Sequence, residues 1–362
     1  MSVEIRRIAV NTGGGDAPGL NAVIRSVVYA ADRLGWEVFG IEDGYDGLFR
    51  EDGVVRLDKK AVRGITHLGG TILGTTNRGN PLKWPLTGED GEVTYVDRSQ
   101  EVADRMRQLD IDALIAIGGD GSLAIAHELA KKGLDVVGVP KTIDNDLAAT
   151  TLTFGFITAV ETATDAIDKL HSTAEAHERV MVVELMGRHA GWIAIYAGLA
   201  GSADVILIPE IPYEIEYVCD KIRGRYMEGR EFAIVVVAEG AYPRGGEPLF
   251  QQKGKGQKRL GGIAHMLAEQ IEERTGKETR DLVLGHLQRG GPPNAYDRLL
   301  ALRFGAAAVR LVAEGSFGCM VALDPPNVRA VPLDEAISRT KTVPLESDVV
   351  ATARALGICL GD

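Results

Sequence analysis

The sequence predicts an α/β protein with mainly parallel sheets, divided into two domains. Short apolar runs typical of strands alternate along the chain with longer segments whose apolar residues recur at helical spacing. Strands that alternate with helices of this length form βαβ units, whose right-handed crossovers build parallel sheets. The chain has 362 residues, and because a domain usually holds about 100 to 200 residues, two hydrophobic cores are expected. Glycine is also abundant, with 44 residues where an average composition contains about 7 %.

The individual elements follow from these patterns in chain order. Strands are predicted at residues 5–10, 37–41, 112–117, 135–139, 179–185, 205–208, 232–238, 281–284 and 319–323. Helices are predicted at residues 21–34, 122–132, 158–171, 189–199, 214–228, 260–274 and 297–314. Gly35, Gly133, Gly276 and Gly315 follow predicted helices, where a left-handed residue commonly ends the last turn.

Composition and charge exclude several classes of protein. The net charge of −11 disfavours binding to nucleic acid or to an anionic membrane. The longest apolar run, at residues 232–238, is far shorter than the roughly 20 residues of a membrane helix. Cys219, Cys319 and Cys359 are widely spaced, a pattern that favours neither a disulfide framework nor a zinc site. The N-terminus is interpreted as a strand rather than a signal peptide. We therefore expect a soluble cytoplasmic protein.

Two glycine-rich loops follow predicted strands and precede predicted helices. They are residues 13–19 (GGGDAPG) and 118–122 (GGDGS). Glycine lets backbone N–H groups approach a phosphate, and a helix N-terminus adds partial positive charge. One such loop could simply be a tight turn. Because open α/β sheets bind ligands beyond the carboxyl ends of their strands, two loops of this kind predict a phosphate site.

A dinucleotide-binding fingerprint competes with this interpretation. Residues 119–124 fit G-x-G-x-x-A after a strand, and Asp144 and Asp146 lie about twenty residues further on. An NAD-dependent oxidoreductase is therefore an alternative. Asp120 counts against it, since a carboxylate in that turn would repel a pyrophosphate. A carboxylate there suits Mg²⁺, which neutralises the repulsion and bridges phosphate oxygens.

Further charged groups lie at the ends of other predicted strands. Asp144 and Asp146 are two residues apart in an extended loop and can face the same way, so that one can act as a general base. Asx-rich turns offer the simpler explanation of that loop. Arg179, Arg188, Arg280 and Arg289 lie near strand ends with His286. Guanidinium groups bind phosphate bidentately, so this set predicts a second phosphorylated ligand. Together these groups predict phosphoryl transfer to a hydroxyl group of a sugar phosphate.

The chain resembles the 6-phosphofructokinase family over nearly its whole length. The motifs that carry the resemblance are TGGGDAPGLNAVIR (12–25), GGT and LGT (69–75), IGGDGS (117–122), PKTIDND (140–146), HERV and VVELMGRHAGW (177–192), AEG (238–240), and LGHLQRGG with AYDR (284–298). The resemblance implies the phosphofructokinase fold, with two Rossmann-like three-layer α/β/α domains. Residues 1–155 plus about 288–338 would bind the donor, and about 156–287 plus 339–362 would bind the sugar phosphate.

The resemblance also implies an activity and an assembly. The reaction would transfer a phosphoryl group from MgATP to the 1-hydroxyl of fructose 6-phosphate, a step of glycolysis. The chain would form a homotetramer, or else a homodimer, with Arg179 and Arg280 completing a neighbour's site.

Residue roles carry over by position. Asp144 would be the base that removes the 1-hydroxyl proton, Thr142 would hold the transferring phosphoryl group, and Asp146 would support the base and the metal. Arg188 would stabilise charge on the transferring group. The other sugar-phosphate residues would be Ile143, Met186, Gly187, Glu239, His286, Leu287, Gln288 and Arg289. The donor side would comprise Gly14, Arg78, Gly119, Asp120 as the Mg²⁺ ligand, Gly121, Ser122 and Lys141, with Arg78 one residue off the family's usual spacing.

Two positions bear on the identity of the donor, and they disagree. In the family that the chain resembles, Gly follows the metal aspartate in ATP-dependent enzymes and Asp does so in pyrophosphate-dependent ones, and here the residue is Gly121. The residue before TIDND is usually Gly in the ATP-dependent enzymes and Lys in the pyrophosphate-dependent ones, and here it is Lys141. A carboxylate would exclude ATP, whereas a lysine only assists pyrophosphate. The sequence therefore predicts ATP, with pyrophosphate as the alternative donor.

Overall fold

The computed structural model describes residues 5–77, 79–88, 92–253 and 257–362. Its strands are β1 (Arg7–Thr12), β2 (Glu37–Ile41), β3 (Val54–Leu57), β4 (Trp84–Thr87), β5 (Val93–Val96), β6 (Ala113–Gly118), β7 (Val136–Pro140), β8 (Val180–Leu185), β9 (Val205–Leu207), β10 (Ala233–Ala238), β11 (Phe250–Lys253), β12 (Gln257–Leu260), β13 (Thr279–Val283), β14 (Cys319–Asp324) and β15 (Asn327–Pro332). Its helices are α1 (Leu20–Arg33), α2 (Ser99–Gln108), α3 (Asp120–Lys131), α4 (Phe156–His177), α5 (Trp192–Ala200), α6 (Ile215–Met227), α7 (Ile263–Thr275), α8 (Ala295–Ala313), α9 (Leu333–Ile337) and α10 (Asp348–Ala355).

The chain divides into two compact units. Unit 1 comprises Met1–Thr142, Leu147–Gly155 and Arg289–Arg339, and unit 2 comprises Ile143–Asp146, Phe156–Gln288 and Thr340–Asp362. The assignment of a donor to one domain and of a sugar phosphate to the other stays a prediction.

Unit 1 is built on one large sheet. Its strand order in the described residues is β15-β14-β7-β6-β1-β2-β3. The inner pairs are parallel, and only the outermost strands β3 and β15 pair antiparallel with their neighbours. Alternate residues of β1 enter opposite cores: Ile8 and Val10 pack with residues of α1 and α8, and Ala9 packs with residues of α3. Apolar residues on both faces explain why helices cover both sides of this sheet.

Unit 2 repeats the arrangement on a smaller scale. Its sheet has the order β13-β8-β10-β9, and all of these pairs are parallel. Val180 and Val235 pack on one face with residues of α6 and α7, while α4 and α5 pack on the strands as well. The prediction of mainly parallel, three-layer α/β architecture is confirmed.

The predicted helix ends can be compared with the backbone directly. Gly35, Gly133, Gly276 and Gly315 have φ of 77°, 91°, 67° and 68°, so the predicted left-handed ends are confirmed. The start predicted at residue 189 is wrong, because α5 begins at Trp192. None of the helices in the described part of the chain combines the length and the apolar character that a membrane crossing requires.

Candidate active site

The two glycine-rich loops of unit 1 leave neighbouring strands at the same edge of the sheet. β1 and β6 run parallel with Thr12 opposite Ile117, and the Gly13 N–H donates to the Ile117 carbonyl at 2.9 Å. α1 begins at Leu20 after the first loop, and α3 begins at Asp120 within the second. The sequence prediction that both loops lie between a strand and a helix is confirmed.

The side chain of Ser122 explains why glycine is needed at two of these positions. A Cβ on Gly13 would lie 2.7 Å from Ser122 Oγ, and a Cβ on Gly118 would lie 2.2 Å from Ser122 Cβ. Ser122 therefore packs against the backbone of both loops. Gly14 has a left-handed φ of 79°, and its N–H donates to the Thr76 carbonyl at 3.1 Å.

The first turn of α3 presents open space and one carboxylate. A Cβ on Gly121 would meet no atom of the described residues within 4 Å, and Asp120 and Gly121 are both exposed. No group of three or more His, Cys, Asp or Glu in the described chain could hold a metal ion. Mg²⁺ in phosphate sites needs only one or two carboxylates, because phosphates and water supply its other oxygen ligands. The exposed Asp120 fits that kind of binding.

Lys141 lies beside the first glycine loop. β7 is the neighbour of β6, and the Lys141 N–H donates to the Gly118 carbonyl at 2.9 Å. The Lys141 side chain is buried, with only 3 % exposed, and its ammonium donates to the carbonyl oxygen of Gly15. Its positive charge therefore lies against the loop in which the sequence predicts donor phosphates.

Arg289 also contacts this loop from within unit 1. Its Nη1 donates to the Asp16 carbonyl at 3.0 Å, and a Cβ on Gly15 would lie 2.8 Å from Nη1. The predicted contact of Arg289 with a sugar phosphate stays a prediction. Arg78, the predicted donor-side arginine, lies outside the described residues.

The predicted base lies in a short loop that follows β7. The Thr142 carbonyl accepts a 2.7 Å hydrogen bond from Thr153 Oγ1, which fixes the backbone at the start of the loop. Asp144 and Asp146 are half-buried, and Asn145 between them is buried with a left-handed φ of 51°. Asn adopts this conformation more readily than most residues, which suits it to the turn.

In unit 2, the other predicted ligand residues follow three adjacent strands. Met186–Arg188 follow β8, Glu239 follows β10, and residues 286–288 follow β13, and these strands are neighbours in the order β13-β8-β10. The Glu239 N–H donates to the Leu185 carbonyl at 2.8 Å. Arg188 and His286 are exposed at this edge. The three loops therefore lie at one edge of this sheet, and their binding of a sugar phosphate stays a prediction.

Gln288 holds two of these loops together. Its Oε1 accepts from the Met186 N–H at 3.3 Å and its Nε2 donates to the Gly285 carbonyl at 3.1 Å. The residue has no exposed surface in this chain. Both polar groups of its amide are thus used inside the protein to hold the loops. Its predicted contact with a sugar phosphate stays a prediction. Its neighbour Leu287, in contrast, is 68 % exposed.

The predicted arginines Arg179 and Arg280 meet at one carboxylate. Arg179 Nη2 lies 2.8 Å from Glu278 Oε1, and Arg280 Nη2 contacts the same oxygen. Hydrogen bonding from Arg179 lowers the pKa of Glu278, and the charges of both arginines contribute. The predicted strand at residues 281–284 is displaced, because β13 covers Thr279–Val283 and includes Arg280.

Neither Glu278 nor Glu184 is predicted from the sequence. Glu278 lies two residues before Arg280, a spacing that could have indicated an ion pair within the strand segment. Glu184 lies at the end of β8, and its carboxylate accepts hydrogen bonds from the N–H groups of Gly262 and Ala264 at the start of α7. Because Glu184 is a single acidic residue within an apolar strand, its sequence position does not indicate that it bonds to α7.

Comparison with known proteins identifies related sequences and structures. The family model described as Phosphofructokinase matches residues 7–312. An ATP-dependent 6-phosphofructokinase of Chloroflexus aurantiacus is 53% identical over 100% of this chain and 99% of its own length. A pyrophosphate–fructose 6-phosphate 1-phosphotransferase of Streptomyces coelicolor is 51% identical over 93% of this chain and 96% of its own. The crystal structure of Pichia pastoris phosphofructokinase in the T-state is similar with a TM-score of 0.80 and 30% identity. The match covers 98% of this chain and spans 37% of that longer chain.

Proposed function

The chain belongs to the phosphofructokinase family, and from this premise we propose that it transfers the terminal phosphoryl group of ATP to fructose 6-phosphate. The acceptor is the 1-hydroxyl group, and the products are fructose 1,6-bisphosphate and ADP. Full-length similarity to an ATP-dependent 6-phosphofructokinase supports this activity. The observation that carries the choice of ATP is the open space at Gly121, which leaves room for the part of a nucleotide that pyrophosphate lacks.

The donor phosphates would bind to the glycine loops of unit 1. Gly14 would line the site, backbone N–H groups of Gly119 and Gly121 can approach phosphate oxygens, and the N-terminus of α3 adds partial positive charge. Asp120 would hold Mg²⁺, which would supply neutralisation of the phosphate charges. Lys141 and Arg289 add fixed positive charge to the same loops.

The sugar phosphate would bind to the loops of unit 2. Arg188 and His286 are exposed at the edge where β8, β10 and β13 end, and Glu239 is half-buried beside them. A guanidinium group can bind phosphate oxygens in pairs, and a carboxylate can accept hydrogen bonds from sugar hydroxyls. We assign Asp144 as the base that takes the proton of the 1-hydroxyl, with Thr142 beside the transferred group.

A second copy of the chain would complete the sugar-phosphate site. β13 is an edge strand of the sheet of unit 2, and Val283 and Leu287 are 50% and 68% exposed. An exposed apolar edge favours pairing with another chain. Arg179 and Arg280 lie on this same edge region, so they are available to a neighbouring copy in a homodimer or homotetramer. A cytoplasmic location is proposed with this function; Cys219, Cys319 and Cys359 are free thiols, which suits a reducing compartment.

Pyrophosphate is a second candidate donor because of one residue. Lys141 is buried beside the glycine loop, where its ammonium favours a small and highly charged donor. A relative that is 51% identical is named for use of pyrophosphate. Lys141 adds attraction for either donor, whereas Gly121 removes a barrier to ATP alone, so ATP is the donor that we propose.

One assay tests the proposal. Purified protein is incubated with fructose 6-phosphate and Mg²⁺, and the rate of fructose 1,6-bisphosphate formation with ATP is compared with the rate with pyrophosphate. We expect ATP to give the higher kcat/KM, and chelation of Mg²⁺ to abolish the reaction. A higher kcat/KM with pyrophosphate would show that the donor assignment is wrong, and no product with either donor would refute the activity.

A further inference from the structure

A lysine far along the chain contacts the loop that carries the proposed base. Lys341 Nζ donates to Asn145 Oδ1 at 2.8 Å, and the Lys341 N–H donates to the Asp146 carbonyl at 2.7 Å. Asn145 and Lys341 are 196 residues apart in sequence and both belong to unit 2. Two hydrogen bonds, one from the side chain and one from the backbone, thus hold the turn between Asp144 and Asp146.

The segment 340–343 that contains Lys341 is itself anchored at a second place. Trp192, the first residue of α5, donates from its Nε1 to the Lys341 carbonyl at 2.9 Å. The Val343 N–H donates to Glu210 Oε1 at 2.8 Å, and the same carboxylate accepts from the Gly191 N–H at 3.0 Å. Segment 340–343 therefore joins the loop after β7 to the start of α5, which follows the loop of Met186–Arg188.

Placing the charged ammonium of Lys341 in this environment costs free energy, because the group loses part of its hydration. Burial lowers the pKa of its ammonium to about 8, while the carboxylate of Asp146 opposes that change. The ammonium also lies 5.8 Å from the centre of the Trp192 ring. Lys341 is half-buried. A lysine that gives up part of its hydration is tolerated where its charge has partners, and here these include the loop of the proposed base. A residue needed only to fill space would not require a charge.

We propose that Lys341 is a positioning residue, which holds Asn145 in its turn so that Asp144 faces the acceptor hydroxyl. This proposal rests on the function proposed above. Proton transfer to a base requires hydrogen-bond distance, and a displacement of about 1 Å can lower a rate by about 100-fold. The loss of the ammonium should therefore affect turnover more than substrate binding.

The test compares Lys341→Met with wild type in steady-state kinetics. We expect kcat to fall by about 10- to 100-fold, with KM for fructose 6-phosphate and for ATP changed by less than about threefold. Arg339→Met is the matched control, because Arg339 is an exposed cation two residues away. Its kcat should equal that of wild type. A folded Lys341→Met with kcat within twofold of wild type would refute the proposal.

A second variant approaches the same hydrogen bond from the other side. Asn145→Gly removes the acceptor and tolerates the left-handed φ, so it keeps the test available if Lys341→Met does not fold. It should show a similar loss of kcat, and the double variant should lose no more than the worse single variant. Additive losses would show that Lys341 acts elsewhere.

Hydrogen exchange separates this proposal from the activity on which it rests. In ligand-free protein, amides of residues 143–147 should exchange at least about tenfold faster in Lys341→Met, while α7 and α8 exchange as in wild type. If wild type proves inactive on fructose 6-phosphate, the proposed function fails while this readout still tests the contact. Unchanged exchange at residues 143–147 would refute the positioning role.

Discussion

At the scale of single residues, Gly121 sets how much room the proposed donor site has. It lies in the first turn of α3, exposed, with open space where a side chain would begin. Its φ is not in the left-handed region, so other residues can replace it without backbone strain. Glycine is therefore not required here by the fold, and a larger side chain would change only the space in the proposed donor site.

Gly121→Asp should depress the use of ATP far more than the use of pyrophosphate. The new carboxylate would crowd and repel a nucleotide phosphate, and juxtaposed like charges cost several kcal/mol. We expect kcat/KM for ATP to fall by at least about 100-fold, measured beside pyrophosphate in the same assay. Gly121→Asn is the control of equal size without charge and should lose less. Unchanged ATP kinetics in Gly121→Asp would contradict the argument.

Asp144→Ser should separate catalysis from binding. If Asp144 is the base, kcat falls by about 10²- to 10⁴-fold, while the dissociation constant of fructose 6-phosphate changes little. Initial rates and equilibrium binding measure the two effects. Asp165→Ser is the control, because Asp165 is 66% exposed on α4 and pairs with Lys169. Weakened binding with intact turnover would make Asp144 a binding residue instead.

At the scale of elements, β8 both leads into the loop of Met186–Arg188 and holds the start of α7. Glu184 near its end is buried and accepts hydrogen bonds from the N–H groups of Gly262 and Ala264, which α7 leaves without helical partners. A carboxylate at a helix N-terminus is also favoured by the helix dipole. One acidic side chain thus joins β8 to α7.

Glu184→Leu should destabilise the protein. It leaves buried N–H groups without an acceptor, and hydrogen bonds to charged groups contribute about 1.5 to 3 kcal/mol each. Because at least two such bonds are lost, urea unfolding should show a loss of about 3 kcal/mol or more in the free energy of unfolding. Glu269→Leu on the exposed side of α7 is the control and should change it by less than about 0.5 kcal/mol. Equal losses in both variants would contradict the capping role.

Several short or polar elements are not predicted from the sequence, among them β3, β15 and α2. β3 and β15 are short antiparallel edge strands, and α2 is a polar helix in which mainly Val102, Ala103 and Met106 are buried. β3 and β15 have only 4 and 6 residues, and α2 carries few apolar residues, so their patterns are too short or too weak to be recognised. The buried strands β1, β6, β7, β8 and β10 were predicted within two residues, because both their faces are apolar.

At the scale of the whole molecule, the exposed apolar residues of β13 and of the segment after it predict an assembly. Val283→Asp combined with Leu287→Asp should dissociate the oligomer, because both side chains are exposed in the isolated chain and would be buried against a second copy. Sedimentation velocity should show smaller particles than wild type. Activity should fall with them, since Arg179 and Arg280 would no longer complete a neighbour's site.

Met227→Asp provides the control for this experiment. Met227 is 83% exposed at the end of α6, outside β13 and the segment that follows it. Its substitution should leave the sedimentation coefficient unchanged. A monomeric wild type, or a double variant that sediments as wild type does, would refute the assembly through β13.

The sequence by itself determined the fold class, the family and the loops in which the candidate site lies. Local periodicity and glycine placement specify strands, helices and turns, because these depend on neighbouring residues. Only the tertiary structure decided which side chains inside those loops are already used by the protein. Lys141 contacts a carbonyl 126 residues away, Gln288 joins a loop 102 residues away, and Lys341 reaches Asn145 across 196 residues. Contacts of that length arise from packing, which one-dimensional spacing does not encode.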